Sequence, residues 1–324
     1  MLLNLLILGT GPFAVPMFRR LLDSHHHVEG LITRPARAGN THGRKTVDVN
    51  PMRAVAEDKG LPVHAPESIN TDAARAEMAQ YSPDLLVVCD FGQILSPASL
   101  AVARLGGINL HASLLPKYRG AAPIHWAIYH GDAATGVTVI HMTPQLDGGP
   151  CLAQQATPIG PDETQAELEV RLSEIGAELV LQTIGALAEN RAMSILQNQS
   201  LASKAPRLKK TDGQIDWSRS AIEIRNQIRA FQPWPASFTN WWRPEGDPVR
   251  LILDRATIVS RGTFETLALP VAPGTVLEAS HGRLVVATGK DDLSLERIQP
   301  SGKRLLTAHE FLNGYPVKVQ QVFG

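Results

Sequence analysis

An amide, an imidazole and a carboxylate in the middle of the chain are the side chains best suited to chemistry. Asn109 and His111 are two residues apart on a predicted strand, 108–113, so both side chains point to the same face of that strand. Asp147 follows a second predicted strand, 137–142, on a glycine-rich turn. This spacing predicts that the three groups share one site at the ends of neighbouring strands.

These three groups suit a reaction in which an oxyanion forms while an amine loses a proton. The Asn109 amide presents two N–H donors to an oxygen that is becoming negatively charged. His111 can donate a second hydrogen bond or pass a proton near neutral pH. Asp147 can orient that imidazole and hold its proton. An alternative interpretation is that these are three unrelated polar residues at strand ends. The motif Ser-Leu-Leu-Pro-x-x-Arg-Gly that follows at 113–120 makes this alternative less favourable.

The first half of the chain alternates apolar runs with helical stretches. Runs that are apolar on both faces, separated by helices, predict an α/β domain with a doubly wound, mostly parallel, Rossmann-like sheet. The ligand crevice of such a sheet lies at the carboxyl ends of its strands. The predicted strands are 2–8, 28–33, 61–64, 84–89, 108–113 and 137–142, and the predicted helices are 12–24, 51–59, 72–80 and about 164–189.

The second half has a different pattern. Residues 193–211 are polar and lack an apolar period, which predicts a linker between a domain of residues 1–192 and a second domain of residues 212–324. After one predicted helix, 221–231, short β-like runs separated by Gly and Pro are typical of a small β-barrel. The predicted strands are 238–242, 249–258, 275–278, 283–288 and 293–298.

Composition and charge place the chain among globular proteins. It is 44% hydrophobic and 19% charged, and no apolar run is long enough to span a bilayer. Two cysteines, far apart in apolar runs, exclude a disulfide framework and favour the cytoplasm. Residues 1–202 hold 14 Lys and Arg against 19 Asp and Glu, whereas residues 203–324 hold 17 against 12. The basic second half fits a polyanionic partner, and ordinary surface scatter explains it equally well.

Two motifs point to ligands that we do not expect. Residues 9–14, Gly-Thr-Gly-Pro-Phe-Ala, have the position of a dinucleotide fingerprint after the first strand. Pro12 removes a backbone N–H that would face a phosphate, so a tight turn without a dinucleotide is the favoured interpretation. Three consecutive histidines, 25–27, are interpreted as exposed turn residues, and no metal is expected.

Motifs along nearly the whole chain resemble the methionyl-tRNA formyltransferase family, whose members use 10-formyltetrahydrofolate. The core motif at 109–123 is specific to formyltransferases, and the motifs of the second half narrow the choice among formyltransferases further. The resemblance lies in residues 9–14, 59–63, 91–95, 109–116, 119–124, 146–148, 212–218, 229–235, 273–276 and 299–303.

The resemblance implies roles that agree with the residue chemistry. It makes Asn109, His111 and Asp147 the catalytic residues, and it implies direct formyl transfer without a metal. It places 10-formyltetrahydrofolate, the co-substrate, along two segments. The implied folate-binding residues are Phe91, Gly92, Ile94 and Leu95 in the first segment and Ser113, Leu114, Leu115 and Pro116 in the second.

The resemblance also implies a nucleic-acid partner, initiator methionyl-tRNA. The second domain would be a barrel like that of oligonucleotide-binding proteins and would hold the tRNA by phosphate contacts. The protein is expected to be a monomer. The loop at 113–120 leads into a predicted helix N-terminus, where Lys117 and Arg119 would meet phosphate or a folate tail, or remain solvated. The implied tRNA-binding residues are Arg37, His42, Arg44, Lys45, Lys117, Arg119, Lys209 and Lys210.

Two departures from the family pattern and three rival functions qualify this interpretation. His42 stands near where an Arg is expected in a basic loop, and Asp90 stands in a segment that usually reads Ala-Tyr-Gly. Asp90 would bond a pterin amine or face solvent.

A formyltransferase acting on an amino sugar nucleotide shares the core. A glycinamide ribonucleotide enzyme would not need the second domain, and a non-catalytic RNA-binding protein would not need all three catalytic groups.

Overall fold

The computed structural model describes residues 1–35, 50–243, 246–260 and 271–324, and the backbone of 38–41 and 44–47. Within these residues the chain forms two compact units. Unit 1 contains Met1–Pro123, Ala134–Pro158 and Leu168–Pro206, and unit 2 contains Ile124–Ala133, Ile159–Glu167 and Arg207–Gly324. Unit 2 therefore includes two short segments from the first half of the chain. The expected domain limits, 1–192 and 212–324 with a linker between them, stay a prediction.

Unit 1 is built on a seven-stranded sheet and two small two-stranded sheets. Its strands are β1 (Asn4–Gly9), β2 (His27–Ile32), β3 (Ala38–Thr41), β4 (Arg44–Val47), β5 (Val63–His64), β6 (Leu85–Cys89), β7 (Gly107–His111), β8 (Arg119–Gly120), β9 (Ala134–His141), β10 (Cys151–Pro158) and β11 (Lys204–Ala205). The large sheet has the order β10-β9-β7-β6-β1-β2-β5, while β8 pairs with β11 and β3 pairs with β4. From β1 the chain winds to both sides, so the doubly wound sheet is confirmed.

The sheet is mostly parallel, with an antiparallel edge that the sequence does not reveal. β1, β2, β5, β6 and β7 are parallel, but β9 is antiparallel to β7 and β10 is antiparallel to β9. Strand β10 has no predicted counterpart, because its middle residues 154–156 are exposed and include the polar Gln154 and Gln155. Because His141 pairs with Ile108, the carboxyl end of β9 lies beside the amino end of β7. The loop after β9 must therefore turn back along β7 to reach His111.

The expected helices have bounds close to those predicted, apart from a difference near the start, and α4 has no predicted counterpart. Residues 12–24 were expected to form one helix, but a short 3-10 turn, Pro12–Ala14, precedes α1. Pro16 lacks the N–H that would continue the first turn into α1, so a new helix begins there. The helices of the first two hundred residues are α1 (Val15–Leu22), α2 (Pro51–Asp58), α3 (Asp72–Ala79), α4 (Pro97–Leu100), α5 (Pro123–Tyr129) and α6 (Gln165–Ala188).

The turn after β1 packs against the carboxylate of Asp90. A Cβ atom on Gly11 would lie 1.7 Å from Oδ2 of Asp90, so only glycine allows this approach. Asp90 follows β6 with a φ of 47°, and its side chain stays accessible to solvent between the turn and neighbouring elements. A carboxylate against the turn repels a pyrophosphate, which supports the interpretation that the fingerprint binds no dinucleotide.

The pKa of Asp90 is shifted by its surroundings. Enclosure by protein atoms and the nearby Glu169 carboxylate raise the pKa of Asp90 to about 6, while the Arg34 guanidinium acts in the opposite direction. The folded protein therefore binds this proton more tightly than the unfolded chain does. The contribution of Asp90 to the free energy of unfolding therefore falls as the pH rises from about 4 to about 6, since in that range the folded state holds this proton more than the unfolded state does.

The three adjacent histidines are not all exposed, contrary to the expectation. His25 and His27 are exposed, but His26 is buried and its Nδ1 accepts a 3.4 Å hydrogen bond from the Leu3 amide. Burial and the neighbouring histidines lower the pKa of His26. No group of three or more metal-ligating side chains that could hold an ion occurs within the described part of the chain.

Unit 2 contains a small β-barrel and, in addition to α5, two further helices. Its strands are β12 (Ser237–Trp241), β13 (Val249–Val259), β14 (Val276–Ser280), β15 (Arg283–Ala287), β16 (Asp292–Pro300) and β17 (Leu306–Thr307), and its further helices are α7 (Ala221–Ala230) and α8 (Ala308–Gly314). The sheet order is β12-β13-β16-β15-β14. The chain end closes it, because Gly324 exchanges 2.9 Å hydrogen bonds with Asn240 of β12 while the Val276 amide of β14 donates to the Gln321 carbonyl. The expected barrel is confirmed.

Helix α5 belongs to unit 2 because it packs on α7. The ring of Tyr129 stacks on Phe231 with 5.3 Å between centroids, and Arg219 donates a 2.6 Å hydrogen bond to the Tyr129 hydroxyl. The Arg219 guanidinium also lies 4.7 Å from the centroid of that ring. Among the helices described, none is both long and apolar enough to cross a bilayer.

Replacing Asp90 with Asn should stabilise the protein in a pH-dependent way. Asn carries no charge to desolvate, so we expect D90N to raise the free energy of unfolding at pH 8 by about 1 kcal/mol, a value reduced for the solvent access of the site. The gain should shrink at pH 5, where the parent carboxyl is protonated. Urea unfolding at pH 5 and pH 8 measures the gain in the free energy of unfolding, with E67Q at exposed Glu67 as the control. An equal gain at the two pH values would show that the charge of Asp90 is not the cause.

Candidate active site

Strand β7 holds Asn109 and His111 on one face. Its central position between β6 and β9 fixes the backbone, with Asn109 paired to Val88 on one side and Ile140 on the other. His111 is buried and Asn109 is half-buried. In the described part of the structure, no residue hydrogen-bonds to the Asn109 side-chain amide. The N–H groups of this amide therefore remain available to a ligand on the face of β7 that also carries His111.

The imidazole of His111 is held between a carbonyl and a carboxylate. Its Nε2 lies 2.9 Å from the Tyr118 carbonyl oxygen, and its Nδ1 lies 3.7 Å from Oδ1 of Asp147. A carbonyl can only accept, so Nε2 carries a proton and Nδ1 is the ring atom that faces the carboxylate. The 3.7 Å separation is longer than a hydrogen bond, which leaves Nδ1 and Oδ1 able to act on a third group.

The Asp147 carboxylate is anchored although its backbone lies on a tight turn. Its Oδ2 accepts a 2.8 Å hydrogen bond from the Gly120 amide, and its side chain is only 10% exposed. Asp147 has a φ of 48°, a left-handed conformation that Asp tolerates better than most residues. A Cβ on Gly149 would lie 1.8 Å from the His141 carbonyl oxygen, so the return toward His111 requires glycine.

The loop that follows β7 is pinned to the antiparallel edge of the sheet. Thr138 of β9 accepts from the Leu115 amide and donates to the Ser113 carbonyl, at 3.1 and 2.6 Å. Gln154 of β10 donates to the Leu115 carbonyl and to the Thr138 hydroxyl. Ser113 and Leu115 are buried, whereas Leu114 and Pro116 are partly exposed. The loop is therefore rigidly placed, and the folate contact expected of Ser113, Leu114, Leu115 and Pro116 stays a prediction.

The other segment expected to bind folate, residues 91–95, is also held by hydrogen bonds and by burial. Phe91 and Leu95 are buried in the apolar core of unit 1, whereas Gly92 and Ile94 are exposed. Arg34 donates to the carbonyls of Phe91 and Gly92. These contacts make the buried side chains of the segment a support, and the folate contact expected of Phe91, Gly92, Ile94 and Leu95 stays a prediction.

The expected tRNA-binding residues are spread over the chain. Arg119 lies beside the site, where its guanidinium donates to Gln197 and Gln199. Lys117 is exposed, with Nζ 5.2 Å from the Tyr118 ring centroid, and Lys209 and Lys210 are exposed in unit 2. Arg37 and His42 lie outside the described residues, as do the side chains of Arg44 and Lys45, whose backbone is part of β4. Their contacts with tRNA stay predictions.

The loops of the site are supported by residues 195–205, most of the segment expected to be a linker. Ile195 exchanges two 2.8 Å backbone hydrogen bonds with Cys151 at the start of β10. Ser203 donates its amide to Pro116, and its hydroxyl accepts from the Tyr118 amide. Strand β11 then pairs with β8. The segment thus covers the loop that carries Tyr118 and Gly120, a role that its polar composition does not reveal.

Comparison with solved structures shows the fold. HypX from Aquifex aeolicus, solved in complex with tetrahydrofolic acid, superposes with a TM-score of 0.62 at 15% identity, over 98% of this chain and 48% of HypX. WlaRD, a sugar 3N-formyl transferase, superposes with a TM-score of 0.63 at 17% identity, over 94% of this chain and all of WlaRD. At these identities the likeness concerns the architecture alone.

Comparison of sequences shows the family and confirms the resemblance. Residues 3–184 match the family described as formyl transferase, and residues 207–316 match the formyl transferase C-terminal domain. The methionyl-tRNA formyltransferase of Rhodopirellula baltica is 44% identical, over 98% of this chain and 96% of its own length. That of Alkaliphilus oremlandii is 37% identical, over 99% of this chain and its entire length. With both halves matched, the chain belongs to the methionyl-tRNA formyltransferase family.

Proposed function

We propose that this protein transfers the formyl group of 10-formyltetrahydrofolate to the α-amino group of methionyl initiator tRNA. One observation carries the proposal. An Asn109 amide without a protein partner among the described residues lies two positions from an imidazole that faces a carboxylate at 3.7 Å. This is the donor set needed where an oxyanion forms and an amine proton must leave.

The proposed co-substrate fits the donor set. A formyl group on the N10 atom of the folate is an activated acyl donor that reacts with an amine without a metal. The backbone edge of residues 91–95, Ile94 and the pinned loop at 113–116 are the groups that we expect to hold the pterin and the adjoining ring. Because Thr138 and Gln154 fix the loop, its position is set before the ligand binds.

Each catalytic side chain then has one task. The Asn109 amide donates to the formyl oxygen, on which negative charge grows as the methionyl amine attacks the formyl carbon. The tetrahedral intermediate then collapses, the bond between the formyl carbon and N10 breaks, and N10 takes up a proton as the folate leaves. The Nδ1 face of His111 and the Asp147 carboxylate lie on the path by which the amine proton leaves. Oδ2 stays bonded to the Gly120 amide, so Oδ1 is the oxygen that accepts this proton or holds a water that does. Nε2 stays on the Tyr118 carbonyl and fixes the ring.

The tRNA partner is supported by charge as well as by the relatives. Residues 203–324 carry an excess of five cationic residues, 17 against 12, in the part of the chain that forms the barrel. Lys209 and Lys210 are exposed there and suit phosphate contacts, which provide affinity that is independent of sequence. We place the reaction in the cytoplasm, where charged tRNA is available, and infer that the protein works as a monomer.

The rival substrate, an amino sugar nucleotide, has less support. The sugar formyltransferase that resembles this chain in fold is 17% identical, whereas the methionyl-tRNA formyltransferases are 37–44% identical over nearly the full length. A non-catalytic RNA-binding protein would have no use for a buried imidazole and carboxylate that face each other at 3.7 Å.

Purified protein should formylate charged initiator tRNA and discriminate against elongator methionyl-tRNA. The measurement is transfer of labelled formyl from 10-formyltetrahydrofolate to each tRNA, with the tRNA digested by ribonuclease as the control. We expect kcat/KM to favour the initiator by more than about a hundredfold, because discrimination that depends on several contacts exceeds about 2.7 kcal/mol. Equal use of a small amine and the charged tRNA would contradict the proposed substrate.

Removing the Asn109 amide should slow the chemical step. We expect Asn109→Ala to lower kcat by about 10²–10³, the usual effect of removing one oxyanion donor, with little change in stability because the amide has no described protein partner. Single-turnover formyl transfer measures it. Asn313→Ala, at an exposed position in α8, is the matched control. Parental turnover in a folded Asn109→Ala protein would show that the amide does not contact the reacting oxygen.

Removing the two adjacent lysines should weaken tRNA binding without affecting chemistry. We expect the double variant Lys209→Ala and Lys210→Ala to raise the Kd for tRNA and to lower the salt dependence of binding by about one counterion per lost phosphate contact. Titration with labelled tRNA at several salt concentrations measures both. Lys59→Ala, exposed in unit 1, is the control. An unchanged salt slope would remove these lysines from the tRNA surface.

A further inference from the structure

The turn that carries Asp147 is held by a side chain to which the resemblance assigns no role. The Gln197 amide nitrogen donates to the backbone carbonyls of Asp147 and Gly149, at 2.8 and 2.7 Å. Only 9% of Gln197 is exposed, so these hydrogen bonds are shielded from water. We propose that Gln197 is a positioning residue for formyl transfer, which acts by fixing the Asp147 turn against His111. This inference rests on the proposed function.

The orientation of the Gln197 amide is determined by its partners. Its Oε1 accepts from Nε and Nη2 of Arg119, at 3.1 and 2.6 Å. With two donated and two accepted hydrogen bonds, the side chain uses its full capacity. A flipped amide would place N–H groups against a guanidinium and an oxygen against two carbonyls. Arg119 therefore ensures that the N–H groups face the turn.

The hydrogen bonds form a closed path that starts and ends on β8. Arg119 orients Gln197, Gln197 holds the backbone of Asp147, and the Asp147 carboxylate accepts from the amide of Gly120, the neighbour of Arg119. The backbone and the carboxylate of Asp147 are thus tied to one short strand at two points. Since the loop after β9 must turn back along β7, these ties determine how close the carboxylate comes to the imidazole.

A change of the Gln197 side chain should therefore affect kcat through Asp147. Gln197→Glu keeps the shape and the contact with Arg119, but it cannot donate to the two carbonyls. Gln197→Met removes all four hydrogen bonds at nearly the same volume. We expect each to lower kcat by about tenfold to a hundredfold and to change KM for either substrate by less than about threefold. Thermal unfolding confirms that the variants are folded.

Gln199 offers a matched control on the same guanidinium. It accepts a 2.8 Å hydrogen bond from Nη1 of Arg119, but it is exposed and no described contact joins it to the Asp147 turn. Gln199→Glu should keep kcat within about twofold of the parent value, because the Asp147 turn keeps both of its ties. A loss as large as that of Gln197→Glu would mean that the charge near Arg119, and not the donation to the turn, is what matters, and would overturn the proposal.

A double-mutant cycle separates positioning from a structural role. In an Asp147→Asn background the carboxylate is already absent, so Gln197→Glu should cause less than about a threefold further loss in single-turnover rate. A structural role would lower the rate by the same factor in both backgrounds, and that result would overturn the proposal, as would parental kcat in folded Gln197→Glu and Gln197→Met.

Hydrogen exchange tests the inference without activity. Amides of residues 145–149 should exchange about tenfold faster in Gln197→Glu than in the parent, because the turn loses two anchors. Unchanged exchange would overturn the positioning role whatever the activity of the protein. A parent protein that shows this protection but transfers no formyl group would count against the proposed function alone, so the two failures are distinguishable.

Discussion

The proposed chemistry of this protein depends on the approach of the Asp147 carboxylate to the His111 imidazole. Strand β9 is antiparallel to β7, so it ends beside the amino end of β7, away from His111. The loop that carries Asp147 must therefore turn back along β7 to bring Oδ1 to 3.7 Å from Nδ1 of His111. A left-handed residue, a glycine pressed against a carbonyl, and hydrogen bonds from β8 and Gln197 make that return possible. The catalytic geometry is therefore maintained by backbone contacts that lie outside the catalytic residues.

The residues around the pair act on its geometry and not on the substrate. Tyr118 contributes a carbonyl that fixes the ring of His111, and Gly120 contributes the amide that fixes the carboxylate. Both belong to the loop that residues 195–205 cover. Such support is what preorganised catalysis requires, because a displacement of about 1 Å in a reacting group can cost a hundredfold in rate.

The sequence predicts the central strands and the shared face of Asn109 and His111 well, because these depend on local patterns. Apolar runs such as Leu85–Cys89 identify the central strands, and the two-residue spacing of Asn109 and His111 places them on one face. Helix α8 was missed although Thr307 and Glu310 form a capping box, a local signal that was available. The role of Gln197 could not be predicted, because a single polar residue in a polar segment gives no sign of a partner fifty positions away.

The most direct test of the account is a crystal structure of the protein with a folate whose formyl group cannot be transferred and an aminoacyl-adenosine. The account predicts that the formyl oxygen lies about 3 Å from Nδ2 of Asn109 and that the amine faces the Asp147 carboxylate. A formyl carbon about 10 Å or more from all three side chains would contradict it, because hydrogen-bond donors stabilise charge only at contact distance.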